Sequence, residues 1–296
     1  MKTDLIKILK RTAQQKSKLL DRKIVKLCGI WKTDYVLKLT ENERPFHLHY
    51  VVAQTVGQGS CHYEPEQSTF NFGRDLLGRN VFDLPIWGDY INRPLAIAAL
   101  DAVFYSLNGK PNEKCIIDGS NIEKSLKRSE IVCREAINII KKRKPKKGLK
   151  FRVTHIGVVG SMIKLLKNNG KIPIEISAAD YDKEIVGKKI HGVTIQHGSE
   201  DRELVAEADV VIVTGMTMAN KTINEIIDTA EKNNTSLVFF AETGANFASE
   251  YCKLGEERGI TIVVVSEPYP FYLVTYGPSI IKIYRSVEKS NSGKYT

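Results

Sequence analysis

The residues with the most chemical potential lie where apolar runs stop. VVIVTGMTMANKT, at 210–222, reads as a buried strand that ends at Thr214-Gly215 and gives way to a helix near Asn220. Two hydroxyls (Thr214, Thr217), a flexible Gly215 and the amide of Asn220 converge there, suiting an anionic or carbonyl group. Helix capping by Thr217 or Asn220 is the competing reading. The next two apolar runs end in Glu242 and Glu267. Neighbouring parallel strands lie roughly 5 Å apart, so these carboxylates are candidates to share one pocket, binding a cation or working as acid and base. Local hydrogen bonding or exposure of each is the bland alternative. Earlier, Gly157-Val158-Val159-Gly160-Ser161 forms a small-residue turn after a strand. It lacks the GxGxxG spacing, which leaves Gly157, Gly160 and Ser161 as ligand-binding candidates without a standard dinucleotide fingerprint.

A second constellation has metal-ligand character. His47 and His49 alternate on one side of FHLHYVVA, and Cys61-His62 follows in the Gly-rich stretch TVGQGSCHYEPEQ at 55–67, read here as a functional loop. Nitrogen and sulfur donors of these types suit a divalent or transition metal ion, although no compact ligand spacing exists and strand histidines commonly serve as surface or hydrogen-bonding residues.

The elements that must position these residues divide the chain. The expected arrangement is an α+β unit over 1–145 and a Rossmann-like α/β unit over 146–296. In the first, an amphipathic helix precedes an extended segment over 24–39, the turn ENERP and a strand over 46–53. Two helices follow, one with Pro94 in its opening turn and one starting near Ser129. Beyond Lys150, short apolar strands alternate with amphipathic helices, which predicts βαβ units, right-handed crossovers and a doubly wound, mostly parallel sheet. Such sheets bind ligands beyond the carboxyl ends of their strands, where the first group of residues falls. Asp180 and Asp182 fall near the place of a ribose-binding acid, with an exposed acidic loop as the alternative.

Composition narrows the class. The 296 residues are 42% hydrophobic and 26% charged, ordinary for a globular protein, and no apolar run is long enough to span a membrane. The charged N-terminus lacks the core of a secretory signal, and five scattered cysteines do not form a disulfide framework, so a cytoplasmic protein with reduced thiols is expected. The net charge of +10 is concentrated: KKRKPKKGLK, at 141–150, holds seven Lys or Arg, and without it the excess falls to +3. A solvated helix end and linker accounts for that run, and without aromatic interleaving it predicts no nucleic-acid binding.

Two segments carry a family resemblance. VVIVTGMTMANKT resembles the "TGxTxxNxT" segment of the uncharacterised putative heavy-metal chelation family, and WGDYINRPLAIAALDA, at 87–102, resembles that family's N-terminal helix. The resemblance implies an enolase N-terminal-like α+β domain followed by a Rossmann-like domain, with a pocket between them, and implies no established reaction. Many members have a Gly-Pro-Ser turn after the fifth strand, where Ala241-Glu242-Thr243-Gly244 stands here.

The sequence therefore points to a protein that binds a small molecule or metal complex, with or without catalysis, in an interdomain pocket. The alternative is a transferase or oxidoreductase with an S-adenosylmethionine- or NAD-like cofactor. Assembly into homo-oligomers is compatible with either.

Overall fold

In a computed structural model, residues 4–37, 46–65, 74–88, 91–170 and 172–287 are described. The chain opens with α1 (Leu5–Ser17), capped by Asp4, whose side chain accepts from the Ile6 amide. β1 (Gly29–Leu37), β2 (Phe46–Gln54) and β3 (Gln58–His62) then form an antiparallel three-stranded meander. Part of the stretch read as a loop at 55–67 is thus strand β3; the turn ENERP and positions 66–67 lie outside the described residues. The glycines that suggested a loop serve packing instead. A Cβ at Gly59 would sit 2.1 Å from the backbone nitrogen of Ala102, so only glycine lets the next helix lie directly on β3.

That helix, α2 (Arg93–Leu107), is buried over its first twelve residues, as expected for a helix apolar on all sides and enclosed between layers. β4 (Glu113–Ile117) and α3 (Asn121–Lys141) follow. The start of α3 is eight residues earlier than the Ser129 expected from apolar periodicity. Its signal is a capping box: Ser120 accepts from the Glu123 amide, while the Glu123 carboxylate accepts from the Ser120 amide.

The remaining elements are β5 (Phe151–Ile156), α4 (Gly160–Lys167), β6 (Ile174–Asp180), β7 (Lys189–Ile190), β8 (Val193–His197), α5 (Asp201–Glu207) and β9 (Val210–Thr214). They continue with α6 (Ile223–Asn233), β10 (Ser236–Ala241), α7 (Ala248–Arg258), β11 (Ile262–Ser266) and β12 (Ser279–Arg285). One nine-stranded sheet runs β4-β12-β11-β10-β9-β5-β6-β8-β7. Its centre is parallel, while β12 runs antiparallel to β11 and β4, and β7 antiparallel to β8. β10 and β11 are buried throughout and rich in Val, Ile and Phe, because helices cover both faces of a central parallel strand.

The doubly wound sheet matches the expected fold class, but the boundary expected at 145/146 cuts through its layer. β4 pairs with β12, and α3 packs Val132, Ala136 and Ile140 into the same core as β9, β10 and β12. β1, β2 and β3 form their own sheet, while α1 and α2 share one core with β9, β10 and β11. The basic run after α3 is exposed except for the partly exposed Arg143 and Pro145, and two of its side chains are bonded to neighbouring loops. Lys146 donates to Ala208 O at 2.6 Å and Thr235 Oγ1 at 2.7 Å, and Arg143 donates to Asn234 O and Thr261 Oγ1.

Candidate functional site

The carboxyl ends of β10 and β11 deliver Glu242 and Glu267 to one buried cluster. Arg128, from α3, ion-pairs with Glu242 Oε1 and lies 3.7 Å from Glu267 Oε2. Tyr50, from β2, donates its hydroxyl to Glu242 Oε2. The structure thus brings the two acids together, beside two partners that strand periodicity does not reveal. Arg128 was hidden by the late helix start: once α3 begins at Asn121, Lys124, Ser125, Arg128 and Ser129 share a buried polar stripe. Tyr50 was visible only as one of several aromatic and apolar residues on its face.

The cluster is unevenly satisfied. Glu267 Oε1 accepts from the Tyr272 amide at 2.5 Å, whereas Glu267 Oε2 and Arg128 Nε are buried without a hydrogen-bond partner. Burial, opposed by the charge of Arg128 and reinforced by that of Glu242, pushes the Glu267 carboxyl up to about 7. Burial works against the charge of Arg128, but Tyr272, Glu242 and Glu267 outweigh it and raise the guanidinium pKa. The guanidinium carbon lies 5.1 Å from the Tyr272 ring centre and 5.8 Å from that of Phe240. Desolvated ionisable groups from four elements thus meet at strand ends, where a shifted carboxyl can exchange a proton near neutrality.

The small sheet is fastened to this end. Ser60 Oγ donates to Glu242 O, the His62 amide donates to Thr243 Oγ1, and the Gly244 amide donates to Ser60 O. The segment at 87–102 supplies two further ties. Asp101, fully buried in α2, accepts from the amides of Ser60 and Asn246, and burial pushes its carboxyl up to about 8. Arg93 donates through Nε to Met218 O, at 2.9 Å. Asp101 and Arg93 therefore position the loops after β10 and β9.

The other candidates have more local roles. Thr214 Oγ1 accepts from the Met216 amide, Thr217 Oγ1 donates to Thr214 O, and Asn220 Oδ1 accepts from Thr222. α6 starts at Ile223, three residues after the expected position, because a 3-10 turn over Gly215–Met218 intervenes. A Cβ at Gly215 would lie 2.6 Å from Thr243 O, so this glycine admits the neighbouring loop. Gly157 has φ +78° and a Cβ there would meet the Thr214 methyl at 2.3 Å, while the following amide, Val158, donates to Asp180 Oδ2. The turn that would cradle a pyrophosphate is thus packed by side chains. Gly160 opens α4, and Ser161 Oγ lies 2.8 Å from Ser129 Oγ.

The four proposed metal ligands are not gathered. Register pairs Val51 with Cys61 and Tyr50 with His62, so Cys61 shares the face of His47 and His49 while His62 takes the opposite one. His47 is exposed, His49 Nδ1 is 2.7 Å from Asp34 Oδ1, and Cys61 is buried with its thiol directed at His62 O and its pKa pushed up by burial. Burial lowers His62 to about 4. Among the described residues no three His, Cys, Asp or Glu side chains form a group able to hold a metal ion. The acid pair does not fit a bare cation either, since Arg128 bonds one carboxylate and approaches the other.

Residues 149–239 match the model of the DUF364 family, described as putative heavy-metal chelation. A DUF364 protein of unknown function from Pyrococcus horikoshii superposes with a TM-score of 0.55 at 15% identity, over 89% of this chain and 88% of that one. A second, from Desulfitobacterium hafniense, gives 0.51 at 12% identity over 93% and 98%. These likenesses establish a shared fold across nearly the whole chain. No curated protein matches. The matched segment contains the Thr214 loop and stops short of Glu242, so the acid pair lies outside it.

Proposed function

We propose that this protein binds a small organic molecule, free or as a metal complex, at the strand ends around Glu242, Glu267, Arg128 and Tyr50. The observation that carries the reading is the unequal satisfaction of the cluster. A buried carboxylate oxygen and a buried guanidinium N–H lack hydrogen-bond partners at the carboxyl ends of the strands, where doubly wound sheets bind their ligands. A ligand offering one acceptor and one donor would complete both. Glu267 is the group suited to take up or release a proton, and the residues of the Thr214 loop contribute by shaping the crevice.

Heavy-metal chelation, as the family description words it, enters this reading only through the ligand. With Arg128 beside the acids, a metal would arrive held by an organic chelator whose other atoms meet the protein. Native mass spectrometry and elemental analysis of freshly purified protein test the proposal. The expected result is an organic adduct whose occupancy falls in Glu242→Gln and Tyr50→Phe. Stoichiometric bare metal retained in Glu242→Gln would overturn it.

A further inference from the structure

Between β11 and β12 the chain crosses the cluster without joining a sheet. We propose that residues 269–277 form a lid over the Arg128 site, latched to α3 by Lys124; this rests on the binding reading above. Lys124 is 1% exposed in the first turns of α3, where a cation opposes the helix dipole and a buried ammonium needs acceptors. It finds them in the segment itself, donating to Thr275 O at 3.0 Å and to Gly277 O.

The segment is organised to move as a unit. Thr275 Oγ1 donates to Phe271 O at 2.9 Å and lies 3.2 Å from Pro270 O, and the Val274 amide donates to Phe271 O. Gly277, with φ +87° and open space around it, is a pivot before β12. Phe271, fully buried and 4.7 Å from the Tyr50 ring centre, anchors the opposite end. Between them Tyr272 lies over Arg128 and bonds Glu267, while Tyr276 projects wholly into solvent. Arg128 Nε and Glu267 Oε2 are inaccessible in this state, so a ligand reaches them by displacing Tyr272.

Two measurements test the lid without a ligand. In the wild type, the Tyr272 amide should exchange with deuterium through an opening that urea hardly affects, at least tenfold faster than core amides of β10. Phenylglyoxal should modify Arg128 slowly relative to Arg202, whose side chain is 71% exposed, and Lys124→Met should speed modification of Arg128 roughly tenfold with Arg202 unchanged. Exchange of the Tyr272 amide only through global unfolding overturns the lid, even if Lys124→Met fails to fold. So does an unchanged Arg128 rate in a folded Lys124→Met. A lid that opens over a site that never takes up a ligand sinks the binding reading alone; a bound ligand under a segment that opens only globally sinks the lid alone.

Discussion

The two ends of the nine-stranded sheet both concentrate buried or half-buried charge, yet they spend it differently. At the amino ends, Asp209 accepts from the amides of Lys146 and Arg152, both at 2.8 Å, while Lys146 reaches Ala208 O and Thr235 Oγ1. At the carboxyl ends, Arg128, Glu242 and Glu267 approach one another and leave a donor and an acceptor over. A satisfied network fixes structure, and one with spare buried valences is strained unless something fills it. Ionic side chains therefore make a brace at one end and a candidate site at the other.

The sharpest break of this comparison is Asp209→Ala. It strips two backbone amides of their acceptor and removes the charge facing Lys146, so urea unfolding should show a loss of about 2–3 kcal/mol. A loss under about 0.5 kcal/mol would mean that water serves the amino ends and that no brace exists there.

Glu267→Gln should act in the opposite sense. Its carboxyl is raised from 4.5 to about 7, so the folded state holds the proton more tightly than the unfolded chain does. The stability from this group is complete below about pH 4.5 and is lost as pH rises through 7. Glutamine carries no such loss. The variant should match the wild type near pH 4.5 and exceed it by about 3 kcal/mol at pH 8, a gain typical where a site is held at the expense of stability. Asp101 and Asp201, raised by burial to about 8 and about 7, tilt both proteins alike and cancel in the difference. A pH-independent difference would show that Glu267 is ionised in both states.

The sequence made the sheet legible because VVIV, SLVFFA and IVVVS cannot be satisfied except between two helical layers. It also announced the acid pair, since Glu242 and Glu267 immediately follow those runs. It hid Arg128, which reaches the site from a helix whose polar stripe breaks the apolar period on which the start of α3 was judged. The capping box at Ser120 was the available correction. It hid β3 as well, because Gly57 and Gly59 read as loop residues until α2 is laid over them; a Cβ at Gly57 would fall 2.0 Å from the Tyr105 ring. For β3 no local pattern does the same, because the close contact with α2 is long-range.

Lys146→Met is a finer probe of the brace. Although Lys146 is exposed as a residue, desolvation of its bonded ammonium lowers it to about 8, and the methionine retains the apolar stem, so after allowing for solvent screening the loss should be about 1 kcal/mol by urea unfolding.

The smallest effect separates the brace from the charge surrounding it. Lys141, Lys144, Lys147 and Lys150 are exposed. Replacing all four by glutamine lowers the formal charge from +10 to +6, leaving Arg143 and Lys146 bonded to the strand ends. Exposed charges contribute little individually, and removing like charges relieves mutual repulsion, so stability should stay within about 0.5 kcal/mol of the wild type. If the run is spacing and bracing alone, electrophoretic mobility of a DNA duplex should be unaffected by either protein at 0.15 M salt. Salt-sensitive retardation by the wild type that vanishes in the fourfold variant would assign the exposed lysines a partner, and the amino ends would then be both a brace and a binding surface.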